Sequence, residues 1–318
     1  MNAHELWRGL GWPLLRLTGF ISLGLLVGNL IEALNWTRAV SRVAAPLIRI
    51  ARLKDISGAS FSLAFFSGAA ANTMLAEAHD QGKLSDREVV LSNLFNSLPT
   101  YFLHLPTIFF IAAPFIGDAA VVYVSLTVLS AFLRTAFIVL LGRLMLPPIP
   151  EGCPECLLTD EDGPRLRLVL RKTWRRFRKR LPKILYLTVP IYITFYVLRR
   201  FGVFENAEGF MSRHLFFLSW LDPQAMGIIV FHVASEFTAG LAAAGAIIQN
   251  GTMSSSQIVL ALLVGNVLSS PMRAVRHQFP FYAGIFRPRL ALKLIVYNQT
   301  LRALSICVVA LAYYLVVR

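Results

Sequence analysis

Polar and apolar positions along this 318-residue chain follow two patterns, a long one and a short one. On the long scale, near-continuous apolar stretches lie at about 10–34, 119–146, 183–203 and 291–317. Each reaches the ~20 residues that cross roughly 30 Å of hydrocarbon as a helix. They predict four membrane-spanning helices. Two further stretches, 57–80 and 224–249, have the length but are interrupted by Gly, Ser, Asn, His and Glu, the pattern of spans that face protein or water rather than lipid. The first apolar run has no small-residue cleavage site before polar sequence, so it reads as a retained helix and not as a signal peptide.

On the short scale, the chain repeats itself. "GKLSDREVVL" (82–91) answers "GTMSSSQIVL" (251–260), and "NLFNSLPTYFLH", from Asn93 to His104, answers "NVLSSPMRAVRH", from Asn266 to His277. Positions i, i+3, i+4 and i+7 share a helical face. Asn93, Asn96, Ser97 and Thr100 therefore form one polar stripe, and Asn266, Ser269, Ser270 and Arg273 form another. Each stripe runs into a proline, Pro99 or Pro271. A proline frees a backbone carbonyl in a regular helix, which predicts a re-entrant hairpin broken at each. Interhelical bonding is the alternative role for such amides and hydroxyls. The small residues 68–71 ahead of Asn72 and Thr73, like Ala239, Gly240, Ala243, Ala244 and Gly245 in the second half, predict close backbone approach.

Composition agrees with a polytopic membrane protein: 56% hydrophobic residues, only 15% charged and a mean hydropathy of +0.61. The net charge of +14 is concentrated in one place. The hydrophilic segment 147–181 is acidic at first, and residues 163–183 then carry ten Lys or Arg and no acid. Short basic segments stay cytoplasmic, so this linker is expected inside. It divides the chain into a first membrane repeat (1–146), the linker (147–181) and a second repeat (182–318). Three spans and one hairpin per half put the halves in opposite orientations with both termini outside. Leu166, Leu170, Trp174, Phe177 and Leu181 recur at helical spacing among the arginines, which predicts a helix over 165–181 lying on anionic lipid. No nucleic-acid partner is expected, and association with further copies of the chain is left open. Cys153 and Cys156 form a C-x-x-C with no further ligands at suitable spacing, a weak candidate for a metal or redox pair.

Charge inside the spans supplies the candidate chemistry. Arg134 and Arg302 each sit about midway in an apolar helix, where a charge costs roughly 2.5 kcal/mol or more unless compensated. Glu236 is the one clear central carboxylate and could pair with only one of them. The surplus is positive, so a cavity between the halves suits an anionic or strongly hydrogen-bonding solute. No H-E-x-x-H, nucleophile elbow or paired carboxylates appear, so the chain does not read as an enzyme, and no cofactor is implied.

The stretches "SGAAANTMLAEA", "GKLSDREVVLSNLFNSLP" and "GTMSSSQIVLALLVGNVLSSP" resemble the Gate, or nucleoside-recognition, domain of bacterial membrane proteins. Similar domains occur in spore-maturation membrane proteins and, as a pair, in the membrane part of the ferrous-iron permease. The resemblance covers both halves. It implies two inverted Gate-type repeats, a multi-pass protein of the bacterial inner membrane, and solute bound between the repeats at the midplane. Unlike the iron permease, the chain carries no P-loop and no cysteine in the first-half spans. The expected site comprises Asn72, Asn93, Asn96, Ser97, Thr100, Arg134, Glu236, Asn266, Ser269, Ser270, Arg273 and Arg302. A non-transporting membrane scaffold and a metal-ion permease are the alternatives.

Overall fold

The computed structural model describes residues 46–148, 166–200, 221–235 and 237–318, with scattered positions between 4 and 30. Every element among the described residues is a helix. Three of them are long and apolar enough to cross a membrane: Asp86–Ile116, Ala119–Met145 and Pro288–Val317. The expected spans at 119–146 and 291–317 are thus helices, and 183–200 continues a helix that begins at Leu166. Most of the expected span at 10–34, the cysteines of the C-x-x-C and Glu236 lie outside the described residues.

The stretch expected to cross once at 57–80 is not one continuous helix. It forms two short helices, α1 (Asp55–Ala64) and α2 (Gly68–Asp80), which fold back on each other. Ser67 between them is extended and its hydroxyl accepts the Ala70 N–H, while Ser60 Oγ donates to the Ala71 carbonyl across the hairpin at 3.0 Å. Arms of 10 and 13 residues reach only about 15 and 20 Å, short of the bilayer.

The chain then runs through α3 (Asp86–Phe95) into α4 (Ser97–Ile116). The expected hairpin here is instead one bent helix. Asn96, at the interruption, stays helical (φ −62°, ψ −11°), and its N–H and C=O keep their bonds to the Ser92 carbonyl and the Thr100 N–H. The break places Pro99, which lacks an N–H, in the first turn of α4, where that group has no helical partner. After α5 (Ala119–Met145) and α6 (Leu166–Arg200), the second half passes through the same order. Helices α7 (Ala225–Ser235) and α8 (Phe237–Gln249) form a hairpin, in which Gly240 lies against His232. Then α9 (Ser255–Leu268) bends at Ser269 (φ −77°, ψ −8°) into α10 (Ser270–Arg273), a π-helical turn (Ala274–Gln278) and α11 (Phe279–Ala283). The long α12 (Pro288–Val317) closes the chain. The hairpins and the long bent helices therefore exchange the places that the proline argument gave them.

The repeated Gly-x-x-Ser now has a physical account. Gly82 and Gly251 adopt φ of +71° and +65°, a region that costs little only for glycine, and so turn the chain out of each hairpin. Ser85 and Ser254 then cap the bent helices. Ser85 is part of a full capping box with Glu88.

Two further features orient the halves. Asp80 pairs with Arg287 at 3.0 Å, and Asp86 pairs with both Lys293 and His79 at 3.0 Å, so the base of the first hairpin sits beside the start of α12. On the outer surface, α5 exposes Leu129, Phe132, Phe137 and Leu140, and α12 exposes Val296, Leu304, Val308, Leu311 and Leu315. Apolar residues face outward where a soluble protein would place charges. On α6, Val169 and Thr173 are buried among the described side chains, while Leu170 and Trp174 are exposed among the basic residues.

Candidate functional site

The tips of both hairpins, both helix interruptions and the middles of α5 and α12 converge on one cavity of about 1020 Å³. From the first half, Asn72, Asn93, Asn96, Ser97, Thr100 and Arg134 line it. From the second come Asn266, Ser269, Arg273 and Arg302. Ser270 does not line it, because its hydroxyl turns back onto the Asn266 carbonyl at 3.3 Å. Among the described residues three arginines and no carboxylate line the cavity.

The first-half wall is held by neutral bonds. Asn93 Nδ2 donates to Asn72 Oδ1 at 2.8 Å, and Asn93 Oδ1 accepts from the Tyr282 hydroxyl at 3.3 Å, joining the bent helix to the hairpin and to the other half. Asn96 Nδ2 donates to Ser60 Oγ at 2.7 Å. Thr100 Oγ1 donates at 2.9 Å to the Asn96 carbonyl, which also accepts the Thr100 N–H.

The second-half wall is cationic. Asn266 Nδ2 donates to the Tyr123 hydroxyl at 3.0 Å, while its Oδ1 accepts from Arg302 Nη2 at 3.0 Å and from Arg273 Nη1 at 3.4 Å. Arg273 Nη2 also reaches Ser269 Oγ at 3.3 Å. Asn266 therefore orients two guanidinium groups at once. Helices α5 and α12 cross beside them, where Ser130 and Ser305 hydroxyls bond at 2.9 Å.

Several cavity groups have no partner within the described residues. Asn96 Oδ1, Ser97 Oγ, Arg134 Nε and both ring nitrogens of His232 are buried and unbonded. Such groups cost about 1–3 kcal/mol each when left unsatisfied, which is why native interiors hold few of them. His232 is fully buried, in a slot that two glycines make. A Cβ at Gly240 would meet its Cβ at 2.9 Å, and one at Gly265 would meet its Nδ1 at 2.8 Å.

Sequence reasoning missed His232 as a lining residue. It missed Tyr101, Tyr123, Thr127 and Tyr282 altogether. A tyrosine in a membrane helix resembles interfacial packing until its partner is known. His104 and His277 carried a signal, since they coincide in the two repeated stretches, and both line the cavity.

Fold and cavity together describe an all-helical chain with membrane-length helices around a polar interior. Three archaeal proteins, all of Methanocaldococcus jannaschii, are similar to it over nearly their whole length. "Uncharacterized protein MJ0871" is 27% identical over 284 residues, 87% of this chain and 85% of its own. "Uncharacterized protein MJ0880" is 24% identical over 290 residues, 88% of this chain and 90% of its own. "Uncharacterized protein MJ1556" is 22% identical over 285 residues, 88% of each chain. No family model matches the chain, and no solved structure matches it.

Proposed function

We propose that the chain is a multi-pass permease of the cell membrane, built from two inverted Gate-type repeats, that binds a small anionic, strongly hydrogen-bonding solute between the halves. One observation carries the reading. Three arginines and a set of unbonded polar groups share a cavity at the middle of membrane-length helices, with no carboxylate among the described residues that line it. Arginine stays charged when buried, so such a cavity attracts an anion and repels a cation.

In this reading each half has three crossing helices and one hairpin that enters without crossing. The hairpins enter from opposite faces. The ion pairs of Asp80 and Asp86 with Arg287 and Lys293 support putting the base of the first hairpin on the same face as the basic segment 287–293. By the excess of Lys and Arg, that face is cytoplasmic. Two hairpin tips meeting at bent helices is a geometry suited to alternating access. The exposed basic residues of α6, with Leu168, Leu170 and Trp174 exposed between them, support contact with anionic headgroups at the cytoplasmic surface. The cross-helix bonds of Asn93 and Asn266 favour the scaffold alternative at those two positions, but they leave the unbonded groups without a role.

A thermal-shift screen of the purified full chain with organic anions, neutral nucleosides and divalent cations tests the proposal. Stabilisation by anions is expected. Stabilisation only by divalent cations would replace it with the metal-ion reading, and no response to any of the three would favour the scaffold.

A further inference from the structure

Asn266 brings two positive charges together. Its Oδ1 receives Arg302 Nη2 at 3.0 Å and Arg273 Nη1 at 3.4 Å. A guanidinium donates and cannot accept, so the atom that faces both arginines is the amide oxygen. The NH₂ is then the group that meets the Tyr123 hydroxyl. The two bonded guanidinium nitrogens cannot be further apart than those two bonds laid end to end. Asn266 is neutral, so it takes a hydrogen from each arginine and the charge of neither. Both arginines are half-buried on the cavity wall, one at the end of α10 and one in the middle of α12. The charge balance agrees with this pairing. Arg134 lines the same cavity from α5, and no carboxylate among the described residues does. Glu236, the central carboxylate of the sequence, can offset one positive charge at most. At least two remain. A monoanion leaves one of them uncompensated in a low-dielectric site, and a doubly charged group does not.

Resting on the permease reading above, we infer that the solute carries a doubly charged oxyanion head, a phosphomonoester type of group, seated across Arg273 and Arg302. A phosphoryl group offers three oxygens around one atom and accepts from two guanidinium groups at once, whereas a carboxylate has two oxygens and one charge and answers one. The cavity of about 1020 Å³ exceeds such a head, and Phe237, Met272, Phe281 and Ile306 line it beside the polar groups. The head therefore belongs to an organic molecule whose apolar body meets those residues.

Thermal-shift titration of the purified full chain tests this at about pH 8, where a phosphomonoester, with its second pKa of ~6, is doubly charged. Phenyl phosphate is compared with methyl phenyl phosphate, which has the same body and one charge, and with terephthalate, whose two charges sit on separate groups. Phenyl phosphate should bind about tenfold or more tighter than either. Asn266→Asp keeps an acceptor for both arginines, and the Tyr123 hydroxyl can turn to donate to it, but it adds one negative charge at the pair. It should bring phenyl phosphate and methyl phenyl phosphate to within about threefold of each other. Arg273→Gln removes one positive charge by a separate route and should do the same, chiefly by weakening phenyl phosphate. If phenyl phosphate lacks its preference over either comparator, or if either variant folds and keeps the full preference, the inference is overturned, while binding of any of the three leaves the anionic reading standing. If none of the three binds, the anionic reading itself fails.

Discussion

Arg134 and Arg302 occupy the middles of α5 and α12, one in each half, yet their surroundings differ. Arg302 donates to Asn266 Oδ1 at 3.0 Å, within a wall where Asn266 also receives Arg273. Arg134 is buried with its Nε unbonded among the described residues. The same contrast runs through the asparagines. Asn266 has its oxygen occupied by guanidinium groups, Asn93 has its oxygen occupied by a tyrosine hydroxyl, and Asn96 has its oxygen vacant. Equivalent backbone positions therefore do unequal work. Residues whose polar atoms are all used hold the halves together, while Asn96, Ser97 and Arg134 keep unbonded atoms beside the cavity.

The largest expected effect separates the two arginines. Removing either guanidinium should weaken anion binding by about 10–100-fold, the scale of a lost charge-assisted bond. Stability should tell them apart. Arg134→Met removes a buried charge whose Nε is unsatisfied, so the melting temperature should hold or rise. Arg302→Met leaves Asn266 short of a donor and should cost about 1 kcal/mol. Calorimetry and thermal melts on both variants check this, and equal melting temperatures would erase the distinction.

The next effect concerns packing rather than charge. Gly265→Ala and Gly240→Ala each push a methyl group within 3 Å of His232, and overpacking of this kind costs about 1–3 kcal/mol. Adding His232→Ala removes the ring contacts but keeps the Cβ contact at 2.9 Å, so it should restore only part of the loss, more for Gly265→Ala than for Gly240→Ala, a coupling that a double-mutant cycle measures. A purely additive result would mean that the glycines are there for some other neighbour.

Asn93→Ala should destabilise by about 1–2 kcal/mol, because it strands Asn72 Oδ1 and the Tyr282 hydroxyl. Its effect on anion affinity should be small beside that of Arg134→Met. The smallest effect is expected outside the cavity. Arg287 and Asp80 are mostly exposed, so Arg287→Gln should change stability by less than about 1 kcal/mol in a salt-dependent way. A larger change would show that the hairpin base is a latch and not merely a contact.

The polar stripes, the central arginines and the repeated Gly-x-x-Ser were legible in the sequence because each depends on local spacing. Asn93, Asn96, Ser97 and Thr100 needed only helical periodicity to be placed on one face. The path of the chain was harder to read. Pro99 and Pro271 suggested hairpins, but a proline in the first turn of a helix is compatible with a bend. The actual reversals, at 65–67 and between α7 and α8, carry no proline. Which atoms are spare was not legible at all. Asn93 and Asn96 look alike in the sequence, and only the placement of Asn72, Ser60 and Tyr282 around them makes one saturated and the other open.

Thiol accessibility at Ser97 tests the central claim most directly. In a chain lacking Cys153, Cys156 and Cys307, Ser97→Cys puts a reactive group on the cavity wall where a hydroxyl now makes no bond. A membrane-impermeant maleimide is expected to label it, an organic anion such as gluconate to slow the labelling while glucose does not, and Arg134→Met to remove the protection. Failure to label, or protection that survives the loss of Arg134, would contradict an anion site between the halves.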